Sequence, residues 1–146
     1  MTMEKMVSEE GLESEAARLA KILHPKTDGA CLVALSGELG TGKTAFTKAL
    51  AKKFGVKDTV TSPTFNILKT YDLPRGSSFM RLIHIDAYRL ENADELLALG
   101  FIELLQDPHN LIVCEWPEHV RGAFSVPDVS LTLSHQSDGT RKFTYV

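Results

Sequence analysis

The segment Gly37-Glu38-Leu39-Gly40-Thr41-Gly42-Lys43-Thr44 narrows the possible folds of this chain more than any other stretch. It follows Ala30-Cys31-Leu32-Val33-Ala34-Leu35, a nearly unbroken apolar run that fits a strand covered on both faces. It precedes Ala45 to Phe54, which is helical by pattern and stops at Gly55. Strand, glycine-rich turn and helix in that order are the context that G-x-x-x-x-G-K-[ST] requires. Gly37, Gly40 and Gly42 let the backbone curl until its N–H groups point inward at phosphate oxygens, where side chains would obstruct the approach. Lys43 is placed to reach the β- and γ-phosphates of a nucleotide, and the Thr44 hydroxyl to occupy one position on Mg²⁺. No N-K-x-D guanine-reading sequence occurs in the chain, so the expected nucleotide is ATP.

Such a loop needs a carboxylate on the magnesium side, at the end of a core strand beside it. Asp86 ends the run Leu82-Ile83-His84-Ile85, and Glu115 ends Leu111-Ile112-Val113-Cys114, so each acid lies where a strand reaches the ligand-binding edge of a sheet. Asp86 is the primary magnesium-side candidate. Glu115 either shares the metal shell or positions the attacking water. Thr61-Ser62-Pro63-Thr64-Phe65, hydroxyl-rich and stiffened by proline, suits a segment that senses the γ-phosphate. Arg89 can meet phosphate or pair with Glu91 or Asp94, and Trp116 can wall the site.

The remaining pattern supplies the scaffold. Leu12, Ala16, Leu19 and Leu23 recur at helical spacing within Ser8 to Leu23, with acids early and Lys21 late. Phe65 to Asp72 and Phe79 to Asp86 read as an antiparallel hairpin. Asn92 caps a short helix from Ala93 to Leu99, Phe101 to Leu105 makes another turn of helix, and Pro117 opens one more. Val129 to Leu133 and Lys142 to Val146 close the chain as a hairpin around Ser137-Asp138-Gly139. These elements predict an α/β chain, a three-layer P-loop NTPase fold with a mixed, partly antiparallel central sheet, and residues 1–146 as one domain.

Charge and composition remove several other classes. With Lys+Arg 16 against Asp+Glu 19 and a net charge of -3, the chain lacks the broad basic surface of a protein that clamps nucleic acid directly. Its longest apolar runs fall short of the roughly 18 residues of a membrane span, and the acidic start lacks a signal-peptide pattern, so a cytoplasmic location is expected. Cys31 and Cys114 each sit in a buried-strand pattern, with no histidine at a metal-ligand spacing, and read as reduced core residues.

Taken together, G-E-L-G-T-G-K-T, T-S-P-T-F, H-I-D-A-Y-R-L and C-E-W-P resemble, in that order, the motifs of the TsaE (YjeE-type) family of bacterial P-loop ATPases. Asp94-Glu95-Leu96 and Leu99-Gly100 also fall where that family has a similar helix. The resemblance implies a role in placing the threonylcarbamoyl group on adenosine 37 of tRNAs reading codons that begin with A. The partners implied are TsaB and TsaD, with tRNA engaged through their complex and ATP hydrolysis, slow in the isolated chain, supporting turnover of the assembly. It further implies that Glu38, Leu39, Gly40, Thr41, Gly42, Lys43 and Thr44 hold the phosphates, with Thr64 in a mobile switch. Thr44, Asp86 and Glu115 then serve the metal, and Lys43, Asp86 and Glu115 the catalysis. Glu9 and Arg141 match the adenine contacts. Glu38 and Thr41 stand where the family more often has Asp and Ala, changes that leave the backbone cradle intact.

Two other readings use the same loop. A small-molecule kinase would transfer the phosphate to a hydroxyl, but Arg75, Arg81, Arg89, Arg121 and Arg141 are scattered rather than gathered into a lid. A nucleotide-dependent interaction switch would bind partners according to its ATP state with little turnover.

Overall fold

The structure, a computed structural model, describes residues 2–63, 65–124 and 126–146. In chain order the elements are β1 (Met3–Val7), α1 (Leu12–Ile22), β2 (Cys31–Ser36), α2 (Lys43–Lys53), β3 (Leu68–Asp72), β4 (Arg81–Asp86), α3 (Ala93–Leu97), α4 (Phe101–Gln106), β5 (Asn110–Glu115), a 3₁₀ turn (Pro117–Val120), β6 (Val129–His135) and β7 (Arg141–Tyr145). The strands form one seven-stranded sheet in the order β1-β7-β6-β2-β5-β4-β3. Its centre is parallel: β2 lies between β5 and β6, and β4 joins β5. The flanks are antiparallel, β3 on β4 at one side and β7 between β6 and β1 at the other. The mixed sheet expected from the sequence is present.

Alternation along the central strands divides the core into two apolar layers. Cys31, Val33 and Leu35 of β2, Leu111 and Val113 of β5, and Leu131 and Leu133 of β6 pack with α1 and α2. Leu32, Ile112, Cys114, Ile83 and Ile85 face the other way, against Leu96, Phe101 and Val120 of α3, α4 and the 3₁₀ turn. Both faces are therefore covered, which is why β2 and β5 carry no alternating polar residues. Phe46 of α2 meets Phe143 of β7 edge-to-face, with ring centroids 5.4 Å apart, and so ties the helix after the glycine loop to the terminal hairpin. Cys31 and Cys114 are buried and unpaired, and burial pushes the Cys31 thiol up to about 11 and that of Cys114 further up. Among the described residues no helix is long and apolar enough to cross a membrane.

The structure differs from the sequence reading at several boundaries. Helix α1 starts at Leu12 rather than Ser8, because Ser8 closes a turn in which Gly11 N donates to its hydroxyl and its carbonyl, both at 3.0 Å. Ahead of that turn lies β1, which pairs with β7 across the whole length of the chain. The hairpin arm expected from Phe65 begins at Leu68. Helix α2 begins at Lys43, since Gly42 turns the backbone at φ 99° and its carbonyl already accepts from Phe46 N at 2.8 Å.

Candidate nucleotide-binding site

The carboxyl ends of β2, β4 and β5 lie side by side, and the loop from Gly37 to Gly42 crosses above them into α2. Gly37, Gly40 and Gly42 have φ of 140°, 78° and 99°, conformations that only glycine enters without strain. At Gly37 space is decisive too. A Cβ there would run into the Leu133 carbonyl of β6 and come within 2.9 Å of Thr41 Oγ1. The loop is held internally by the Glu38 carbonyl, which accepts from Thr41 Oγ1 at 2.9 Å. It is braced from outside by Arg141, whose Nε donates to the Thr41 carbonyl at 3.1 Å while Nη1 donates to Gly139 O at 3.1 Å.

Beneath the loop is a cavity of about 410 Å³ lined by Leu39, Gly40, Gly42, Lys43, Thr44, Ala45, Ser62, Asp86, Tyr88, Glu115 and Trp116. Lys43 is buried, its Nζ donating to the carbonyls of Gly37 and Glu38 and lying 4.3 Å from the centroid of the Trp116 ring. Burial pushes the ammonium pKa below its ordinary value, and the charges of Glu115, Glu118 and Asp86 oppose that shift. Trp116 is held over the lysine by a left-handed backbone, φ 60° and ψ 50°, and its N–H donates to Leu35 O at 3.1 Å. Tyr88 and His119 complete this wall, with ring centroids 5.2 Å from Trp116 in each case.

Asp86 and Glu115 stand opposite each other in the β4–β5 register, and both are buried. Asp86 Oδ1 accepts from Tyr88 N at 3.0 Å and Oδ2 from the Ser62 hydroxyl at 3.3 Å. Glu115 accepts from Thr44 Oγ1 at 3.1 and 3.2 Å through its two oxygens. One hydroxyl and two carboxylates are hard oxygen donors beside the start of a helix whose first residues, Lys43, Thr44 and Ala45, line the cavity. That set suits magnesium completed by water and phosphate oxygens, and the glycine cradle suits the phosphates themselves.

Of the residues expected from sequence, Leu39, Gly40, Gly42, Lys43, Thr44, Asp86 and Glu115 converge on the cavity. Glu38 and Thr41 shape the loop from within. Arg141 lies outside the cavity lining, against the loop's backbone, and the register pairs it with Val7, two residues before Glu9. Glu9 is exposed in the turn before α1, its carbonyl accepting from Leu12 N. Thr64 lies outside the described residues. Arg89 lies over the Phe65 ring at 4.4 Å. Sequence reasoning did not single out Tyr88 or His84. Tyr88 follows Asp86 so closely that its backbone serves the acid and its ring the wall. His84 Nε2 lies 2.5 Å from Glu115 Oε2, a partnership invisible until β4 and β5 are paired.

The same signals appear in comparisons with known proteins. Residues 6–143 match the family described as Threonylcarbamoyl adenosine biosynthesis protein TsaE. A protein of Rickettsia conorii named tRNA threonylcarbamoyladenosine biosynthesis protein TsaE is 37% identical over 130 residues, covering 88% of this chain and 71% of that protein. A Streptomyces coelicolor protein of the same name is 44% identical over 102 residues, covering 69% of this chain and 64% of its own. The crystal structure of Bacillus subtilis YdiB shares the fold, with a TM-score of 0.76 at 24% identity over 99% of this chain and 84% of that one. A family match over nearly the entire chain, on a sheet that gathers the loop and both strand-end acids at one cavity, settles the kinship: this chain belongs to the TsaE family.

Proposed function

We propose that this chain, acting as one domain over residues 1–146, binds ATP with magnesium beneath the Gly37–Gly42 loop and hydrolyses it. In this role it supports formation of threonylcarbamoyladenosine in tRNA, in the cytoplasm, with TsaB and TsaD as partners and tRNA engaged through their complex. The observation that carries the reading is the meeting of Thr44, Lys43, Asp86 and Glu115 at one cavity. Lys43 leaves the loop carbonyls for the β- and γ-phosphates, and the loop N–H groups take the remaining phosphate oxygens. Thr44 and Asp86 would hold magnesium, which when bound would neutralise charge developing between the phosphates. Glu115, fixed at Thr44, orients the water that attacks. Ser62 reports the state of the cavity to the segment around Pro63 through Asp86, and Glu9 and Arg141 flank the adenine side of the loop.

The test is Mg-dependent ATP hydrolysis by the chain alone and then with TsaB and TsaD, with tRNA modification followed in the same tubes. Slow turnover alone, acceleration by the partners and modification that depends on this chain support the proposal. Hydrolysis indifferent to the partners, together with modification that proceeds equally without the chain, overturns it.

A further inference from the structure

His84 sits in the middle of β4 with no exposed surface, on the strand face shared by Leu82 and Asp86. An imidazole buried there loses its hydration and needs partners in return. It has one, Glu115 Oε2 at 2.5 Å, while Nδ1 has no hydrogen-bond partner among the described residues. A histidine kept only for packing could be exchanged for an aliphatic residue like its neighbours Ile83 and Ile85. A position that leaves one ring nitrogen unsatisfied to keep a single bond to a site carboxylate calls for another explanation.

We propose that His84 is a positioning residue for the ATP-cleaving site, acting through Glu115. The proposal rests on the hydrolytic reading given above. A carboxylate only accepts hydrogen bonds, so Nε2 carries the hydrogen. In the β4–β5 register Asp86 is directly opposite Glu115, whereas His84 is opposite Val113 and reaches Glu115 along the diagonal. Carboxylates placed directly opposite each other repel, and the Thr44 hydroxyl, shared between both Glu115 oxygens, does not by itself fix which way the group turns. The His84 donor singles out Oε2, whereas the Thr44 hydroxyl, at the first turn of α2, lies 3.1 Å from Oε1 and 3.2 Å from Oε2. Glu115 is thus fixed by two donors from two elements, and His84 sets the direction in which its free lone pairs point.

The experiment uses the full chain and three variants, His84→Ala, His84→Gln and Glu115→Ala, with His84→Ala also made in the Glu115→Ala background. Nucleotide affinity is read from the fluorescence of Trp116, the single tryptophan, and turnover is measured separately. His84→Ala is expected to lower turnover roughly tenfold or more, the equivalent of one charged hydrogen bond, with affinity little changed. His84→Gln, which restores an N–H near the position of Nε2, recovers much of the loss. In the Glu115→Ala background His84→Ala costs little further turnover, because its route of action is already gone. Equal losses of affinity and turnover, no rescue by glutamine, or full additivity with Glu115→Ala overturns the proposal. An independent reading comes from ¹⁵N-histidine spectra of the wild-type chain and Glu115→Ala. A protonated, hydrogen-bonded Nε2 of His84 that shifts when Glu115 is removed supports the bond, and an Nε2 indifferent to Glu115 refutes it. A wild-type chain that does not hydrolyse ATP would refute the hydrolytic reading and with it a positioning role, while the spectra still report separately whether the bond exists.

Discussion

Thr44 and Glu115 are 71 positions apart in sequence, yet the threonine hydroxyl lies 3.1 and 3.2 Å from the two oxygens of the glutamate. One residue lies in the first turn of the helix after the glycine loop and the other ends the strand beside it, so on the proposed reading the contact joins a phosphate-binding element to a hydrolytic one. The two functions should therefore separate on mutation. Lys43→Ala removes the buried ammonium and is expected to weaken ATP binding by roughly 3 kcal/mol, about a hundredfold, with the fold intact. Glu115→Ala should hold nucleotide within about threefold of wild type while turnover falls at least about tenfold. Binding titrations and steady-state kinetics on both variants check the assignment, and the opposite pattern reverses it.

Gly37 and Gly40 offer a test of the loop's architecture. Both have positive φ, but a Cβ at Gly37 collides with the Leu133 backbone, whereas at Gly40 the nearest atom is His135 Nε2 at 3.8 Å. Gly40→Ala should cost only the conformational penalty, about 1–2 kcal/mol. Gly37→Ala has to displace β6 as well, so its thermal midpoint should fall further and its nucleotide affinity suffer more. Equal effects at the two positions would mean that β6 does not constrain the loop.

Arg141 braces the loop from β7 through the Thr41 carbonyl. Arg141→Ala is expected to weaken nucleotide binding about tenfold, the worth of one charged hydrogen bond, with a smaller change in thermal midpoint. Arg141→Lys should not restore binding, because an ammonium lacks the planar fork that reaches Thr41 and Gly139 together. Unchanged affinity in Arg141→Ala, read by Trp116 fluorescence, argues against a brace.

Glu15 of α1 is buried and accepts from Arg18 at 2.6 Å, from the Tyr145 hydroxyl at 2.5 Å and from Lys5 at 3.2 Å. Burial raises its pKa, but those three donors and the Arg18 charge outweigh burial and leave the carboxyl below its ordinary value of 4.5. A carboxyl depressed by folding stabilises the native state above its unfolded pKa and loses that contribution as pH falls through the folded one. Glu15→Gln should thus cost roughly 1.5–3 kcal/mol near neutrality, with the gap from wild type narrowing below pH 4.5. Urea unfolding at several pH values measures the gap, and a constant difference would show that Glu15 does not titrate with folding.

The glycine loop was legible in sequence because its chemistry is local: glycines, lysine and threonine at fixed spacing between a buried strand and a helix. Asp86 and Glu115 were legible for a related reason, since each ends an apolar run and strand ends of such sheets meet at one edge. What stayed hidden depends on pairing between distant segments. Met3–Val7 has exposed Met3 and Met6 and no continuous apolar run, and becomes a strand only because β7 offers it an edge. His84 reads as one more residue in a strand until register places it diagonal to Glu115. Arg141 is expected from the family resemblance to meet adenine, and its hold on the loop backbone becomes visible only when β7 brings it to Thr41. The start of α1 is not legible because Ser8 can open a helix or close a turn, and in the fold it closes the turn between β1 and α1.

The terminal hairpin β6–β7 supplies the Leu133 carbonyl behind Gly37, the Arg141 brace on Thr41 and the Phe143 ring under Phe46. These pieces lie far downstream of the glycine loop in sequence, so a ribosome delivers the loop before them. A nascent chain therefore exposes the loop without the backing that shapes it, and on the proposed reading nucleotide capture is disfavoured until the hairpin has docked. The loop's shape is thus completed only when β6 and β7 join the sheet.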